Sequence, residues 1–120
     1  GVGGIVSKMV QEMQEKFNSR ACDLIVYFGP CAKVCCYCVK DDFLKNLENW
    51  AFDDQLFFKK GGEVFFDLSK FLELQLLDLG VEKENIHKDY NFCTICDLKF
   101  YSFRRQQQLA GRQPTVVVLN

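Results

Sequence analysis

Apolar residues at four-residue steps predict an amphipathic helix over residues 3–18. The apolar stripe of this helix is Ile5, Met9, Met13 and Phe17. Polar residues occupy most of the positions between them, which is typical of an amphipathic helix. The segment 23–28 that follows is apolar, too short for a helix and rich in strand-forming residues, so we predict a buried strand there. The Gly-Pro sequence at 29–30 ends that strand.

Turn and capping residues divide the middle of the chain into short elements. We expect an extended piece at 36–39, and Asp41 is suited to cap a helix over about 42–50. The Lys-Lys-Gly-Gly sequence at 59–62 predicts a turn, and residues 63–66 a strand. The Phe pairs at 57–58 and 65–66 would each place one ring on either face of a sheet.

The clearest helical pattern begins after Asp67, a good N-cap, and ends at Gly80, which is placed as a left-handed C-cap. Its apolar stripe is Leu68, Phe71, Leu72, Leu76 and Leu79. Strands are also predicted near Ile86 and at 115–119, with residues 100–103 extended between them. This order of strands and helices predicts an α/β or α+β sandwich that forms one domain over residues 1–120.

Composition and charge exclude several classes of protein. Hydrophobic residues make up 48% of the chain, so it is not a disordered tail. Fifteen basic and sixteen acidic residues leave no strong field for nucleic acid or an anionic membrane surface. No apolar run approaches the roughly 20 residues of a membrane helix. The seven cysteines are an odd number and no export signal is seen, so we expect reduced thiols in the cytoplasm.

Two features carry candidate ligand-binding chemistry. The Gly-Pro-Cys sequence at 29–31 follows a predicted strand, where ligands commonly gather in α/β folds, although the same residue types also make ordinary tight turns. Arg104, Arg105 and Arg112 could offer guanidinium donors to phosphate, or could be ordinary surface residues. On an extended segment, Arg104 and Arg105 would point to opposite faces, so only one of them would enter a cleft.

The cysteines raise the question of a zinc site. Cys93 and Cys96 form one C-x-x-C pair, and a second pair would have to come across space from the earlier cysteines. Those earlier cysteines are Cys31, Cys35, Cys36 and Cys38. Because they lack zinc-ribbon spacing, we favour the interpretation that most cysteines are small buried residues. His87, the single histidine, is expected at a surface or interface because no catalytic Cys-His-Asn or Ser-His-Asp set can be built around it.

An ordered set of short motifs runs along nearly the whole chain. They are Gly1–Ile5, Gly29–Cys31, Cys35–Tyr37, Asp67-Leu68, Gly80-Val81, Asn85-Ile86, Cys93–Cys96, Tyr101–Arg105 and Gly111–Gln113. Each motif is weak alone, but together and in this order they resemble the laccase-domain family. That family was once described as multicopper polyphenol oxidases and is now linked to purine nucleoside phosphorolysis. Cys38 departs from the family pattern, which has an acidic residue after Cys-Cys-Tyr.

The resemblance implies a mixed sheet flanked by helices and a purine nucleoside phosphorylase-type enzyme. Such an enzyme cleaves adenosine or inosine with phosphate, and adenosine deaminase and methylthioadenosine phosphorylase activities are also attributed to the family. By resemblance, Gly29, Pro30, Cys31, Arg104 and Arg105 contact the substrate. The resemblance also implies zinc held by His, Cys and His ligands that precede residue 1, so we expect no metal ligand in this chain. We therefore expect activity only with a second polypeptide that supplies this N-terminal half.

Two other functions stay open at this point. A truncated, non-catalytic laccase domain could bind a nucleoside, or could pair with an N-terminal half or a second copy through an exposed sheet edge. A small cysteine/zinc adaptor is the third interpretation. Copper-dependent phenol oxidation is disfavoured because a blue-copper site needs several His ligands and this chain has one.

Overall fold

A computed structural model describes residues 4–46 and 54–118 and shows a mixed α+β architecture. The helices are α1 (Ile5–Phe17), α2 (Asp41–Asn46), α3 (Leu68–Asp78) and α4 (Phe103–Gln106). The strands are β1 (Val26–Tyr27), β2 (Cys38–Val39), β3 (Phe57–Lys60), β4 (Glu63–Phe66) and β5 (Ile86–His87). Short 3₁₀ turns lie at Ala21–Asp23, Asp54–Leu56, Lys83–Asn85 and Gln107–Leu109. The predicted mixed class of fold, with both helices and strands, is confirmed.

The strands form two small sheets of different kinds. β1 and β5 pair in parallel, with Val26 opposite Ile86. β2, β4 and β3 form an antiparallel sheet in which β4 is the central strand. Beyond the ends of β1 and β5, an isolated parallel bridge joins Cys31 to Cys93. This bridge brings the loop after β1 beside the C-x-x-C loop that follows β5.

Two hydrophobic clusters form the core, and α3 contributes to both. The first contains Val39, Leu56, Phe66 and Phe71, and lies under the antiparallel sheet. The second contains Val10, Ala21, Leu76 and Val81, and lies between α1 and α3. Because α3 carries Phe71 into one cluster and Leu76 into the other, it connects the two halves of the molecule.

The two long helices are where the sequence predicts them. The Asp67 carboxylate accepts a hydrogen bond from the Lys70 backbone N–H at 3.0 Å, so it caps α3 as predicted. Gly80 follows that helix with a φ of 100°. Helix α1 occupies most of the predicted range, but its apolar stripe is largely exposed: Met9 is 59% exposed and Phe17 74%. Val10, outside that stripe, is the residue of α1 that is buried.

The short elements differ from the predictions in several places. The strand expected over 23–28 is reduced to β1 because a 3₁₀ turn occupies its first residue and the two before it. The extended piece at 36–39 contains the two-residue strand β2. Helix α2 starts at Asp41, and the predicted continuation over 47–50 lies outside the described residues. The turn predicted at 59–62 is narrower, because Lys59 and Lys60 belong to β3, which pairs with the predicted strand β4.

Two expectations near the C-terminus are wrong. Phe103 starts α4 instead of ending an extended segment, because the Ser102 hydroxyl accepts the Arg105 N–H and caps a helical turn. Within the described part of the 115–119 segment, residues 115–118 belong to no strand. No helix in the described ranges has both the length and the apolar character needed to cross a bilayer.

Candidate functional site

A buried asparagine fixes the loop that follows β1. Asn91 Nδ2 donates to the Gly29 carbonyl at 2.7 Å and contacts Cys31 Sγ at 3.3 Å. Its Oδ1 accepts a hydrogen bond from the Ser69 hydroxyl at 2.7 Å. The Cys31 N–H donates to the Phe92 carbonyl, and the Cys31 carbonyl accepts from the Thr94 N–H, both at 3.0 Å. Residues Gly29–Cys31, called the Gly-Pro-Cys wall below, are therefore held rigidly against the segment after β5.

Sequence reasoning missed Ser69 and Asn91, both of which are 5% exposed. Ser69 lies in the first turn of α3 and is 22 positions from Asn91 in the chain. Neither residue belongs to a motif with known chemistry. The single local signal is a polar residue inside an otherwise apolar helical face, which for a buried serine indicates a specific partner.

A mainly apolar cleft of about 440 Å³ opens beside this wall. Helix α1 forms one side with Val6, Met9, Val10 and Met13. The other sides are residues 24–31, Ser69, Leu72, Leu76 and Asn91. A volume in the range of a few hundred Å³ with few polar groups is typical of a small-molecule site. The predicted residues Gly29, Pro30 and Cys31 all line it.

Arg104 and Arg105 lie elsewhere, on α4, and both contact protein groups. Arg105 Nη1 donates to the carbonyls of Thr94 at 2.9 Å and Ile95 at 2.7 Å, and Nη2 donates to that of Phe100. Arg104 donates to the Cys38 carbonyl and stacks its guanidinium over the Tyr37 ring. The extended segment expected here is a helix, from which the two side chains contact different loops, and neither lines the cleft.

Arg112, the third candidate, lines a separate recess of about 360 Å³. The other residues of that recess are Phe103, Gln107, Gln108, Ala110 and Gly111. The recess shares no residue with the cleft beside the Gly-Pro-Cys wall. The structure therefore does not bring Arg112 and that wall together at one site.

Four cysteine side chains meet at a second site, the cysteine tetrad, which consists of Cys35, Cys36, Cys93 and Cys96. All four Sγ atoms lie within 4.8 Å of one another, and Cys35 Sγ is 3.9 Å from Cys96 Sγ. The Cys31–Cys93 bridge and the turn that starts at Lys33 bring the two loops together. The prediction that most of the cysteines are small buried residues is wrong: of the seven, Cys93 alone is buried, and Cys35 and Cys96 are exposed.

The thiols of the tetrad differ in acidity. Burial alone would raise the pKa of Cys93, but hydrogen bonds from the backbone of Cys96, Lys33 and Ile95 favour the thiolate and lower the pKa to about 6. Burial raises the pKa of Cys35 to about 12, and hydrogen bonding with Cys93 contributes further. The tetrad thus favours a thiolate at Cys93 beside a protonated neighbour.

The single histidine lies apart from these groups. His87, on β5, stacks on the Tyr27 ring with 4.7 Å between the ring centroids and is partly buried. Within residues 4–46 and 54–118, it joins no cluster of side chains able to hold a metal ion. The residues described here therefore do not fit a site of two His and one Cys.

Comparison with known proteins identifies the family. The family described as multi-copper polyphenol oxidoreductase laccase matches residues 1–120, so the chain belongs to it. A purine nucleoside phosphorylase from Clostridium acetobutylicum is 33% identical over 118 residues, which cover 95% of this chain and 47% of that protein. A purine nucleoside phosphorylase from Borreliella burgdorferi is 36% identical over 107 residues, covering 87% and 44%.

Solved structures agree with this assignment. YlmD from Geobacillus stearothermophilus superposes with a TM-score of 0.75 at 30% identity, over 87% of this chain and 40% of that one. The hypothetical protein YfiH from Bacillus licheniformis gives 0.76 at 28% identity with the same coverage. The predicted family and fold are confirmed, and the chain spans about half the length of the curated relatives it matches.

Proposed function

We propose that this chain is one part of a purine nucleoside phosphorylase-type enzyme that cleaves adenosine or inosine with phosphate. The observation that carries the proposal is the 33% identity, over 95% of the chain, to a protein named purine nucleoside phosphorylase. The cleft supports it, since apolar walls beside a rigid Gly-Pro-Cys edge suit a flat purine ring. Adenosine deaminase or methylthioadenosine phosphorylase activity would use the same cleft, because adenosine, inosine and methylthioadenosine are all purine nucleosides.

In this reaction a phosphate oxygen bonds to C1′ of the ribose while the bond from C1′ to the purine nitrogen breaks. The bonding electrons leave with the purine, which takes up a proton, and the products are the free base and ribose 1-phosphate. We assign to this chain the binding of the base, through the cleft walls and the Gly29–Cys31 edge. Because the cleft lining contains no Arg or Lys, we expect the donors to phosphate on the other part of the enzyme.

The zinc implied by the family does not fit the residues of this chain. A site of two His and one Cys needs a second histidine, and His87 is engaged with the Tyr27 ring. The same count disfavours copper bound by several histidines. We expect the catalytic metal ligands in the part of the relatives that this chain does not span.

The test is phosphate-dependent release of base from adenosine, inosine and methylthioadenosine. The assay is run with this chain alone, with a second polypeptide that corresponds to the part of the relatives that this chain does not span, and with both together. We expect release in the mixture alone, and its rate on the three nucleosides defines the preferred substrate. Activity of this chain alone would contradict the assignment of the metal ligands to the other part.

A second candidate function is assembly without catalysis. It is favoured by the exposed stripe of α1, where Ile5, Met9 and Phe17 are each more than half exposed. An apolar helix face of this kind indicates a contact surface. Folded protein that binds the other polypeptide but releases no base in the mixture would favour this function over the first.

A further inference from the structure

We propose that the cysteine tetrad binds one zinc ion through four thiolates and joins the loop after β1 to the loop after β5. This site would be structural and does not rest on the proposed phosphorylase function. It differs from a site of two His and one Cys both in its ligands and in its place at the Cys31–Cys93 bridge.

The distances between the sulfur atoms fit tetrahedral coordination. With Zn–S bonds of about 2.3 Å, the sulfur atoms of a tetrahedral site lie ~3.8 Å apart. Cys35 Sγ and Cys96 Sγ are 3.9 Å apart, and no pair in the tetrad exceeds 4.8 Å. Closing on the ion therefore requires movements of less than about 1 Å, within the reach of side-chain rotation. Four protein ligands leave no open position, which is typical of a structural zinc site.

Backbone hydrogen bonds hold the C-x-x-C loop in place. The N–H of Asp97 donates to the Cys93 carbonyl at 3.1 Å, which closes the turn. The N–H of Thr94 donates to the Cys31 carbonyl at 3.0 Å, which ties this turn to the loop after β1. Groups that fix the position of a ligating residue in this way support a metal site.

The two arginines on α4 brace the loops that carry the ligands. Arg105 binds the carbonyls of Thr94 and Ile95, the two residues between the C-x-x-C cysteines. Arg104 binds the Cys38 carbonyl, two residues after Cys36. The tetrad is thus supported from both sides before any ion binds, which reduces the ordering that binding would require.

Zinc fits better than the two alternatives for four such thiols. A disulfide between Cys35 and Cys96 needs an S–S separation of about 2.05 Å and would leave Cys36 and Cys93 as an isolated pair of thiols. Iron can occupy a tetrahedral set of four sulfurs, but zinc needs no redox partner for a structural role. A reducing compartment, as expected from the odd cysteine count, keeps the thiols available to the ion.

The test is metal analysis of the whole 120-residue chain, purified with a reductant, combined with mapping of its reactive thiols. We expect one zinc per chain, with Cys35, Cys36, Cys93 and Cys96 protected from alkylation and Cys22 labelled. After the zinc is removed with a chelator, all four thiols of the tetrad should become alkylated together. This comparison uses the unmodified chain, so it does not depend on the folding of a variant.

A matched pair of variants sharpens the result. Cys96→Ser should lose stoichiometric zinc and the intense Co²⁺–thiolate absorption of the cobalt-substituted protein, whereas Cys22→Ser, at an exposed cysteine outside the tetrad, should retain both. Absence of bound metal with four reactive thiols would overturn the proposal. So would stoichiometric iron in place of zinc, or a Cys35–Cys96 disulfide that persists in reductant.

Discussion

Arg105 has a structural role that the sequence does not predict. The resemblance places it at the substrate, but its guanidinium donates to the carbonyls of Thr94, Ile95 and Phe100. These carbonyls belong to a tight loop that lies outside helices and strands. A planar guanidinium with five N–H donors can satisfy several such carbonyls at once, which a lysine cannot match.

We predict that Arg105→Ala destabilises the fold. Losing four charge-assisted hydrogen bonds, including one to the Asp97 carbonyl at 3.4 Å, from a partly buried side chain should lower the free energy of unfolding by about 2 kcal/mol. Arg112→Ala removes the same charge from an exposed position and should change stability by less than about 0.5 kcal/mol. Urea unfolding of the two variants and the parent checks this, and equal effects would contradict the bracing role.

Gln75 presents the opposite situation, a buried polar group without a partner. It is 2% exposed, and neither its Oε1 nor its Nε2 has a hydrogen-bond partner within residues 4–46 and 54–118. An amide buried in this way costs free energy, because the water it loses on folding is not replaced.

We predict that Gln75→Met stabilises the chain. Methionine has a similar length and no unsatisfied amide, so the free energy of unfolding should rise by about 1 kcal/mol. Gln75→Glu should do the reverse, because it buries an uncompensated charge. Thermal and urea unfolding measure both variants, and a destabilising Gln75→Met would show that the amide has a partner.

At the scale of elements, strand β4 contributes the central residue of the first hydrophobic cluster. Phe66 is fully buried and contacts the rings of Phe43, Phe57 and Phe71, with ring centroids 4.9 to 5.6 Å apart. Phe58, on the neighbouring strand β3, is 59% exposed. Phe66 and Phe58 are therefore the same residue type in one sheet, the first fully buried and the second mostly exposed.

We predict that Phe66→Ala lowers the free energy of unfolding by about 4 kcal/mol, since it leaves a cavity among these three rings and that of Tyr37. Phe58→Ala should cost about 1 kcal/mol or less, because the ring is mostly in water. Denaturant unfolding with near-ultraviolet circular dichroism reports both effects. Similar losses at the two positions would show that the exposed face of β3 is also packed.

The elements predicted well from sequence have signals within their own residues. Helix α3 has a cap at Asp67, a left-handed residue at Gly80 and an apolar stripe between them. Helix α4 was missed because four residues are too few to show a period. The strands β1 and β5 are two residues long and pair in parallel across a long connection, so no local pattern fixes their ends.

The cysteine tetrad could likewise be predicted only in part from the sequence. The C-x-x-C pair is visible in the sequence, but Cys35 and Cys96 are 61 positions apart. Their approach depends on the Cys31–Cys93 bridge, which is a product of the whole fold. The Gly29–Cys31 wall, by contrast, could be located from sequence because Gly-Pro marks the end of a strand.

At the scale of the whole molecule, the apolar face of α1 is exposed. Ile5, Met9 and Phe17 are exposed, and Met9 and Met13 also line the cleft. This exposed face and the cleft therefore share Met9 and Met13. A polypeptide that covers α1 would also cover the side of the cleft that α1 forms.

We predict that Met9→Glu weakens association with the polypeptide that corresponds to the rest of the relatives. A charge in the middle of an apolar contact should reduce affinity by about tenfold or more, or ~1.4 kcal/mol. Gln14→Glu adds the same charge elsewhere on α1 and should bind normally. Calorimetric titration measures both, and equal affinities would contradict the assignment of this face.

The most direct measurement of the central claim is a titration of phosphorolysis. The polypeptide corresponding to the rest of the relatives is held constant, this chain is added in steps, and ribose 1-phosphate formed from inosine is measured with and without phosphate. The account predicts phosphate-dependent product that rises to a plateau at a one-to-one ratio. Two folded partners that form no ribose 1-phosphate from inosine, adenosine or methylthioadenosine at any ratio would contradict it.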